Sequence, residues 1–440
     1  MGGKGYNVVL DLTSSDTWLY DVPERDYDNL DFEVTIDYQK EAITGTVGAA
    51  EFELGDRKID EQGFLAVRKP EDTDFLYNGV LGLAPGNSEI DDVVWEADDG
   101  DTRGRPVMRN LFEQDQGAPT FFTLSLGRNL DSDTPARPTL RISEHDPEFQ
   151  DDMEDREALQ QVPPDSGDWS TSVRGVTVNG EATGVSPKSG NSAQGLLALF
   201  DSTIRGISAS PAIIDEIYGR GVSKIKEAKP FIDPRFSETD PDRIVYIVPC
   251  NATPKVEFFL PPETITLHPL DVSEVWTQNK PATLRDYTVC RNTIRAANLD
   301  GTPYDIVLGA AFLRNTYAVF DFGGRGRNDK PFMQLVPTTN SDRANEEAID
   351  SRKRMLENMP PTISPDDALR LLRGEPIETP SNSTESAQGN QPQMVPVAPV
   401  IGGVLGACGA IFLAIGAYRY FWYTPEEEGA DTVPLAKNAA

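Results

Sequence analysis

The sequence predicts an all-β protein with two similar lobes, followed by a C-terminal stalk and a single transmembrane helix. Short runs of β-branched and aromatic residues recur along the chain and are separated by Gly, Pro, Asn and Asp, which is the pattern of strands joined by turns. Helical periodicity is sparse by comparison. A chain of 440 residues is long enough to fill two sizeable hydrophobic cores and still carry appendages.

An internal repeat indicates the two lobes. Asp11 stands at the end of an apolar run, and Asp201 stands at the end of a similar run about half a chain later. Residues with hydroxyl groups follow both aspartates. Each motif is followed at a distance by an apolar stretch that ends in glycine, at Gly79–Gly82 and at Asp305–Gly309. Two similar halves that each offer one carboxylate predict a two-lobed site with a pair of aspartates.

Motifs spread over residues 4–337 resemble those of the pepsin family of aspartic endopeptidases. The most specific match is the long run Val307–Asp321, which follows the family pattern almost position by position without a gap. Trp18 stands at the family's spacing after Asp11. The other similar stretches are Val9–Tyr20 (first active-site strand and turn), Val34–Gly48 (flap hairpin), Gly79–Ala84, and Val176–Gly180 (strand and turn opening the second lobe).

The resemblance implies an aspartic endopeptidase whose catalytic pair is Asp11 and Asp201. Two carboxylates about 3 Å apart cannot both ionise, so they share a proton and titrate as a coupled pair. The ionised member activates a water molecule that attacks the peptide bond, and the protonated member acts as the acid. The implied partner is a peptide or protein substrate in an extended conformation, and no cofactor is implied.

Four further residues receive supporting roles from the resemblance. Tyr38 is the expected flap tyrosine, closing over the cleft with its hydroxyl near Trp18. Ser14 retains a hydroxyl that would orient the Asp11 carboxylate, and Ser202 retains one that would help to brace the two lobes together.

Both active-site turns depart from the family pattern, which is Asp-Thr/Ser-Gly. Leu12 and Thr13 follow the first aspartate, and Ser202 and Thr203 follow the second, so both glycines are replaced. Glycine lets backbone N–H groups approach a carboxylate without a Cβ atom in the way, so we expect these turns to support the carboxylates less well. Leu12 has no hydroxyl with which to brace the lobes, and Ile204 replaces a second hydroxyl residue.

These departures leave two further interpretations open. The flap tip, which is usually rich in glycine, reads Gln39-Lys40-Glu41. One alternative is a catalytically inactive relative that binds peptides or proteins through the same cleft at the membrane surface. The other is a structural surface protein whose acidic lobes serve adhesion.

Composition argues against other classes of protein. The formal net charge of −31 argues against nucleic-acid binding, which needs clustered Lys and Arg. The chain has two histidines, His145 and His268, both in polar or proline-flanked sequence that is typical of loops. It lacks the common zinc, redox and phosphate-loop motifs, so we predict no metal site and no nucleotide site.

Cysteines and glycosylation sequons indicate the compartment. Cys250 and Cys290 lie about forty residues apart in the second half, where the pepsin family has a disulfide. Such a bridge implies an oxidising compartment, whereas Cys408 has no evident partner. Asn251 and Asn382 begin glycosylation sequons, which agree with secretion. We therefore expect a monomeric ectodomain that is extracellular or lumenal.

The C-terminal region predicts a membrane anchor. Residues 397–418 are apolar without a charge, which is long enough to span a bilayer. The amino terminus has no apolar signal-peptide core, so we expect that sequence upstream of Met1 is missing. A short helix is expected around Pro365–Arg373 within the stalk. The predicted domains are an N-terminal lobe at 1–160, a C-terminal lobe at 161–337, a flexible stalk at 338–394, a transmembrane helix at 395–423 and a polar tail at 424–440.

Overall fold

Strands form most of the regular structure, as the sequence predicts. The computed structural model describes residues 1–39, 41–69, 77–128, 138–164, 166–191, 193–219, 225–238, 240, 243–324 and 330–377. The strands up to residue 160 are β1 (Val8–Asp11), β2 (Trp18–Tyr20), β3 (Asp28–Tyr38), β4 (Glu41–Leu54), β5 (Arg57–Val67), β6 (Gly79–Gly82), β7 (Phe121–Ser125), β8 (Thr139–Ile142) and β9 (Leu159–Gln160).

The chain after residue 160 is also built mainly of short strands. They are β10 (Ser170–Val173), β11 (Gly175–Val178), β12 (Glu181–Ala182), β13 (Leu196–Phe200), β14 (Ile207–Ala209), β15 (Lys229–Ile232), β16 (Ile244–Val248), β17 (Val256–Leu260), β18 (Glu263–Leu267), β19 (Ser273–Val275), β20 (Cys290–Asn292), β21 (Ile294–Ala296), β22 (Ile306–Leu308), β23 (Thr316–Asp321) and β24 (Phe332–Pro337). The α-helices are α1 (Glu89–Ala97), α2 (Val107–Gln114), α3 (Gln150–Met153), α4 (Pro211–Ile214), α5 (Pro269–Val272), α6 (Ala310–Leu313), α7 (Ala344–Leu356) and α8 (Pro365–Leu372).

The internal repeat of the sequence is a repeat of topology. In the first half, β6 lies between β1 and β2, parallel to β1 and antiparallel to β2, and β5 extends the sheet beside β2. In the second half, β22 lies in the same way between β13 and β14, with β21 beside β14. Each half therefore threads a later strand, which ends at or just before a glycine, between the strand that leads to an aspartate and the strand that follows it.

A five-stranded sheet joins the two halves. Its order is β8-β7-β23-β24-β9, so three of its strands come from before residue 161 and two from after residue 315. Aromatic side chains pack on it, and the rings of Phe122 and Phe320 stack with centroids 5.0 Å apart. The indole of the buried Trp169 donates a hydrogen bond to the Leu83 carbonyl at 2.8 Å, which connects the second half to the segment after β6.

The segment that we expected to be a flexible stalk is folded as far as residue 377. Helix α8 lies where the sequence predicts a short helix, capped by the Ser364 hydroxyl, which accepts from the Asp367 N–H. Ala368 of α8 is fully buried and belongs to one apolar cluster with Trp276 and Leu284. The expectation of a stalk beginning at residue 338 is thus wrong for residues 338–377, because apolar side chains of this segment have a surface of the second lobe to cover.

The remaining C-terminal predictions lie outside the described residues. These are the last part of the stalk, the transmembrane helix at 395–423, the tail at 424–440, Cys408 and the sequon at Asn382. Within the described ranges, no helix is both long and apolar enough to cross a membrane.

The predicted disulfide is present between Cys250 and Cys290, whose Cα atoms lie 5.1 Å apart. Cys290 begins β20, and Cys250 follows β16, the strand with which β20 pairs. The bridge therefore closes off the end of a strand pair in the second lobe. Asn251, the first sequon position, is exposed in the turn that follows.

Candidate active site

Two similar turns carry Asp11 and Asp201. Asp11 ends β1, and Asp201 directly follows β13. Each turn packs against a glycine at the end of the threaded strand, where Gly82 ends β6 and Gly309 directly follows β22. A Cβ atom on Gly82 would come within 2.5 Å of the Asp16 carbonyl oxygen, and one on Gly309 within 2.6 Å of the Ile204 carbonyl oxygen. These glycines are required because the backbone of each turn crosses directly over them.

The threonines that replace the family's glycines hold the two carboxylates. Thr13 donates its backbone N–H and its hydroxyl to Asp11 Oδ1, both at 2.7 Å. Thr203 makes the same two contacts to Asp201 Oδ1, at 2.8 and 2.6 Å. The backbone contact expected from glycine is therefore retained, and each carboxylate gains a second hydrogen bond. Our expectation that these turns lose support for the carboxylates is not confirmed by this geometry.

The environment of Asp11 favours its protonated form. Its side chain is fully buried, and this burial raises the pKa of Asp11. The hydrogen bonds from Thr13 oppose the rise, whereas the nearby negative charge of Asp201 adds to it. Asp11 Oδ2 has no hydrogen-bond partner among the described residues. The structure thus places the two predicted aspartates close enough for the charge of Asp201 to act on Asp11, and it raises the pKa of Asp11.

Ser202 connects the second turn to the first. Its hydroxyl donates to the Leu10 carbonyl at 2.6 Å and accepts from the Leu12 N–H at 3.1 Å. Ser202 therefore contacts the backbone on both sides of Asp11, and its bracing role stays a prediction. Leu12 offers no reciprocal hydroxyl, because its side chain is fully buried in the main apolar cluster. The brace between the turns thus depends on the second half alone.

Ser14 does not contact the carboxylate that it was predicted to orient. Its hydroxyl donates to the Asp16 carbonyl oxygen at 3.3 Å. Thr13 is one residue closer to Asp11 and takes the two hydrogen bonds to the carboxylate. The predicted role of Ser14 therefore belongs to Thr13.

The flap hairpin closes over the two turns. Strands β3 and β4 pair up to Tyr38 and Glu41, and the Tyr38 ring packs edge-on against Trp18 with centroids 5.3 Å apart. Burial and the charge of Asp11 raise the pKa of Tyr38, which keeps its hydroxyl neutral. Trp18 Nε1 has no hydrogen-bond partner among the described residues, so the predicted neighbours meet through their rings.

Gln39 at the flap tip reaches the second turn. Its side-chain amide donates to the Thr203 hydroxyl at 3.1 Å and lies 3.3 Å from the Tyr38 hydroxyl. Thr203 is the residue that holds Asp201. The flap is therefore tied to one of the two carboxylate-binding residues, and the tip stands in a closed position.

Comparison with known proteins agrees with this geometry. A profile of the eukaryotic aspartyl protease family matches residues 2–326, which is most of the chain. The protein belongs to the eukaryotic aspartyl protease family. No curated protein matches the chain in sequence.

A cleft lies under the flap, beside the turn that follows Asp11. A cavity of about 960 Å³ is lined by the first turn, by Tyr38 and Gln39, and by residues of both halves. Arg109 and Asp168 contribute charged groups to its wall. Arg109 donates to the Pro85 carbonyl at 2.8 Å, so its guanidinium is held in place. The lining is mostly polar, which distinguishes this aspartyl protease cleft from a purely apolar pocket.

Sequence reasoning missed three residues of this site: Thr13, Thr203 and Gln39. The signal for the threonines was present, because both halves replace glycine with the same hydroxyl residue two positions after the aspartate. No comparable signal existed for Gln39, whose partner lies 164 residues away. Among the described residues, no group of three or more His, Cys, Asp or Glu is placed to hold a metal ion.

Proposed function

We propose that this aspartyl protease family member is an active aspartic endopeptidase, with Asp11 and Asp201 as its catalytic pair. The proposal rests on one observation, which is that both carboxylates accept the same pair of hydrogen bonds. Thr13 and Thr203 each donate a backbone N–H and a hydroxyl to one carboxylate, with all four distances between 2.6 and 2.8 Å. Carboxylates held in this way are positioned for chemistry, and misplacement by about 1 Å can cost about 100-fold in rate.

The electrostatics support different roles for the two aspartates. Burial and the charge of Asp201 raise the pKa of Asp11, so Asp11 carries the shared proton in the resting state. Asp201 accepts a proton from a water molecule as that water attacks the peptide carbonyl carbon. Asp11 gives its proton to the carbonyl oxygen, which forms a neutral tetrahedral diol. Collapse of the diol breaks the C–N bond. The leaving nitrogen takes the proton held by Asp201, and one diol hydroxyl returns its proton to Asp11 as the new carboxyl group forms, which restores the starting protonation of the pair.

The substrate lies in an extended conformation beneath the flap. Extended peptides bind to sheet edges through main-chain hydrogen bonds, and side-chain pockets then supply specificity. The cavity under the flap offers such a wall, with Thr35 and Asp37 of β3 on one side and Asp168 on the other. Entry requires Gln39 to leave Thr203, because this contact joins the flap tip to the second turn.

The test is cleavage of a mixed peptide library by the full chain between about pH 3 and 7, the range in which a coupled carboxylate pair titrates. The library is assayed with and without a pepstatin-type transition-state mimic. Asp201→Asn should abolish cleavage. Asp31→Asn is the matched control, because Asp31 is exposed and its positive φ of 63° suits asparagine. Cleavage that persists in Asp201→Asn would disprove the catalytic assignment.

A second candidate function is peptide binding without catalysis. Two observations favour it, namely the missing hydroxyl at Leu12 and the closed flap held by Gln39. In that case the folded protein would bind library peptides, and no peptide would be cleaved at any pH. The library assay therefore separates the two candidates when it is run beside a binding measurement on the same peptides.

We further propose that the lobes function outside the cytosol, anchored by residues 395–423. The Cys250–Cys290 disulfide supports an oxidising compartment, and Asn251 is exposed as a glycosylation site must be. In cells, the protein should stay with membranes after alkaline extraction and should lose mass on treatment with an N-glycosidase. Release by alkali would contradict the anchor, and an unchanged mass would contradict the glycosylation.

A further inference from the structure

A second cavity lies on the second lobe, beyond the turn that carries Asp201. It has a volume of about 640 Å³ and is bounded by Ile204–Ser208, by β19 and β21, and by α7. Ile204 and Arg205 come directly after the Asp201-Ser202-Thr203 turn, so the cavity begins within three residues of a catalytic aspartate. Arg352 and Met355 of α7 close the other side. None of these residues belongs to the cleft under the flap.

The cavity is strongly basic in a strongly acidic protein. Its charged lining residues are five arginines and two carboxylates, an excess of three positive charges, whereas the whole chain has a net charge of −31. The residues concerned are Arg128, Arg205, Arg295, Arg314, Arg352, Asp271 and Glu274. A local positive site of this kind attracts anions at short range only, since the surrounding surface is negative.

Both carboxylates already form ion pairs with arginines in the cavity wall. Asp271 Oδ1 accepts from Arg314 at 2.9 Å, and Asp271 Oδ2 accepts from Arg128. Arg295 forms an ion pair with Glu274. These pairs fix the shape of the cavity and neutralise two of its positive charges. Among the described residues, neither Arg352 nor Arg205 forms an ion pair with a carboxylate, although the charge of Glu274 acts on Arg352 from a longer distance.

Arg352 places a buried positive charge in the wall of the cavity. Its side chain is buried, with only 5% of the residue exposed, and its Nη2 donates to the carbonyl and hydroxyl oxygens of Ser273 at 2.8 and 3.2 Å. The other contact of its guanidinium is between Nη1 and the disulfide sulfur of Cys290, at 4.0 Å. Burial lowers the pKa of Arg352 to about 10, so the group stays charged at neutral pH. A guanidinium has five N–H donors, and the contacts to Ser273 and Cys290 use only part of them.

Arg205 stands at the mouth of the same cavity. Its side chain is exposed and makes no hydrogen bond or ion pair with another described residue. Apolar side chains, among them Ile204, Leu270 and Met355, line the space beside the arginines, together with the polar Ser208, Gln278 and Thr293. A ligand that fits must therefore offer a negative group to the arginines and an apolar stem or backbone to the wall. Glutamate and aspartate side chains on a peptide meet both requirements.

We propose that this arginine-lined cavity is a binding site for an acidic peptide segment, which places a carboxylate between Arg205 and Arg352. The site is separate from the catalytic pair, so the proposal stands whether or not the protein cleaves peptides. An acidic peptide that occupies it lies next to the Asp201 turn.

The experiment uses the full chain with Asp201→Asn, so that no peptide is consumed. A fluorescein-labelled peptide with a run of glutamates is titrated by fluorescence anisotropy, beside a peptide in which every glutamate is glutamine. The glutamate peptide should bind at least about tenfold more tightly, the preference expected from one charge-assisted contact. A saturating pepstatin-type mimic should not displace it, because the mimic occupies the cleft.

Two arginine variants locate the site. Arg205→Gln should weaken binding of the glutamate peptide about tenfold, whereas Arg25→Gln, an equal charge change at a side chain that is 82% exposed on the first lobe, should not. Arg352→Met should also abolish the preference, and a thermal melt shows whether this variant remains folded. If this variant is unfolded, the binding measurement on Arg205→Gln alone decides whether the peptide binds in the cavity.

Three results would overturn the proposal. The first is equal binding of the glutamate and glutamine peptides, and the second is equal weakening by Arg205→Gln and Arg25→Gln. The third is Arg205-dependent binding of inorganic phosphate, measured by calorimetry, without binding of the peptide, which would assign the cavity to a small oxyanion.

Discussion

The hydroxyl of Ser202 accepts a hydrogen bond from the backbone N–H of Leu12, 190 residues away, at 3.1 Å. The same hydroxyl donates to the Leu10 carbonyl at 2.6 Å, so it bridges the backbone on both sides of Asp11. The corresponding residue in the first turn, Leu12, has a side chain that packs in the apolar core instead. A single hydroxyl therefore aligns the two turns.

Removal of that hydroxyl should separate the two turns. Ser202→Ala leaves a buried N–H and a buried carbonyl without their partner, which costs about 1–3 kcal/mol. We expect a lower melting temperature and a fall in kcat with little change in KM, because the alignment of the carboxylates is lost. Ser202→Thr is the control, since it retains the hydroxyl. Equal effects of both substitutions would show that packing and not hydrogen bonding is responsible.

The Thr13 hydroxyl should tune the pKa of Asp11. A hydrogen bond to the ionised carboxylate favours the charged form, so Thr13→Val should raise the pKa of Asp11 further and move the alkaline limb of the pH–rate profile upward. We expect kcat to fall about tenfold, by loss of one charge-assisted hydrogen bond. Thr13→Ser should preserve both properties.

The same contact reverses an expectation that follows from the family pattern. Thr13→Gly would restore the motif, yet it removes a hydroxyl that contacts Asp11 Oδ1. We therefore expect Thr13→Gly to lower activity in the same peptide assay, and higher activity would show that the hydroxyl contributes nothing.

Gln39 should slow the opening of the flap. Gln39→Ala removes the hydrogen bonds to Thr203 and Tyr38, which together hold the tip down. We expect a faster association rate for a pepstatin-type inhibitor, by a factor of about five for a net contribution near 1 kcal/mol. Stopped-flow fluorescence of Trp18, which packs against the flap residue Tyr38, measures this rate. Gln114→Ala, at an exposed glutamine on the end of α2, should leave it unchanged.

Stability should fall as pH rises through the titration of Asp11. Burial raises the folded-state pKa of Asp11 above its unfolded value, so the native protein binds more protons. The stabilising contribution is therefore complete at low pH and is lost as pH rises through the raised pKa. The Asp11→Asn variant has no ionisable group at this position, so its stability should lack this pH-dependent contribution. The melting temperatures of the two proteins are compared between about pH 4 and 7. The melting temperature of the variant should gain on that of the unmodified protein as pH rises. A difference that stays constant with pH would contradict a raised pKa of Asp11 in the folded state.

Docking of α8 should stabilise the second lobe. Ala368 is fully buried against the cluster that contains Trp276, so Ala368→Asp places a charge in an apolar contact. We expect a loss of about 2–4 kcal/mol in the free energy of unfolding. Chemical denaturation measures it, with Arg373→Ala as an exposed control on the same helix end. A loss below 0.5 kcal/mol, about the size of an ordinary surface effect, would mean that α8 does not contribute to the fold.

Much of the fold follows from local sequence patterns. The apolar runs before Asp11 and Asp201 form strands, and the glycines at 82 and 309 allow each turn to cross a threaded strand. Such features can be predicted from the sequence because one short segment contains the strand, the turn and the charged group. The flap pairing and the Cys250–Cys290 bridge also appear where the family pattern places them.

The folded segment after residue 337 shows where local patterns fail. Its helices are polar on average, and a flexible stalk is the natural interpretation of such a composition. The apolar positions of α8 become significant only when a complementary surface exists, and that surface consists of residues such as Trp276 and Leu284, more than eighty positions earlier.

The sequence by itself determined the β-rich architecture with its repeated strand arrangement, the two aspartate turns and the flap hairpin, because each is encoded in a short motif that occurs in a fixed order. Only the tertiary structure decided which side chains support that pair. Thr13 rather than Ser14 holds Asp11, because the rotamer and the turn direct its hydroxyl to the carboxylate. Gln39 meets Thr203, and Arg352 enters a cavity near the second turn, because folding brings together residues that are far apart in the chain.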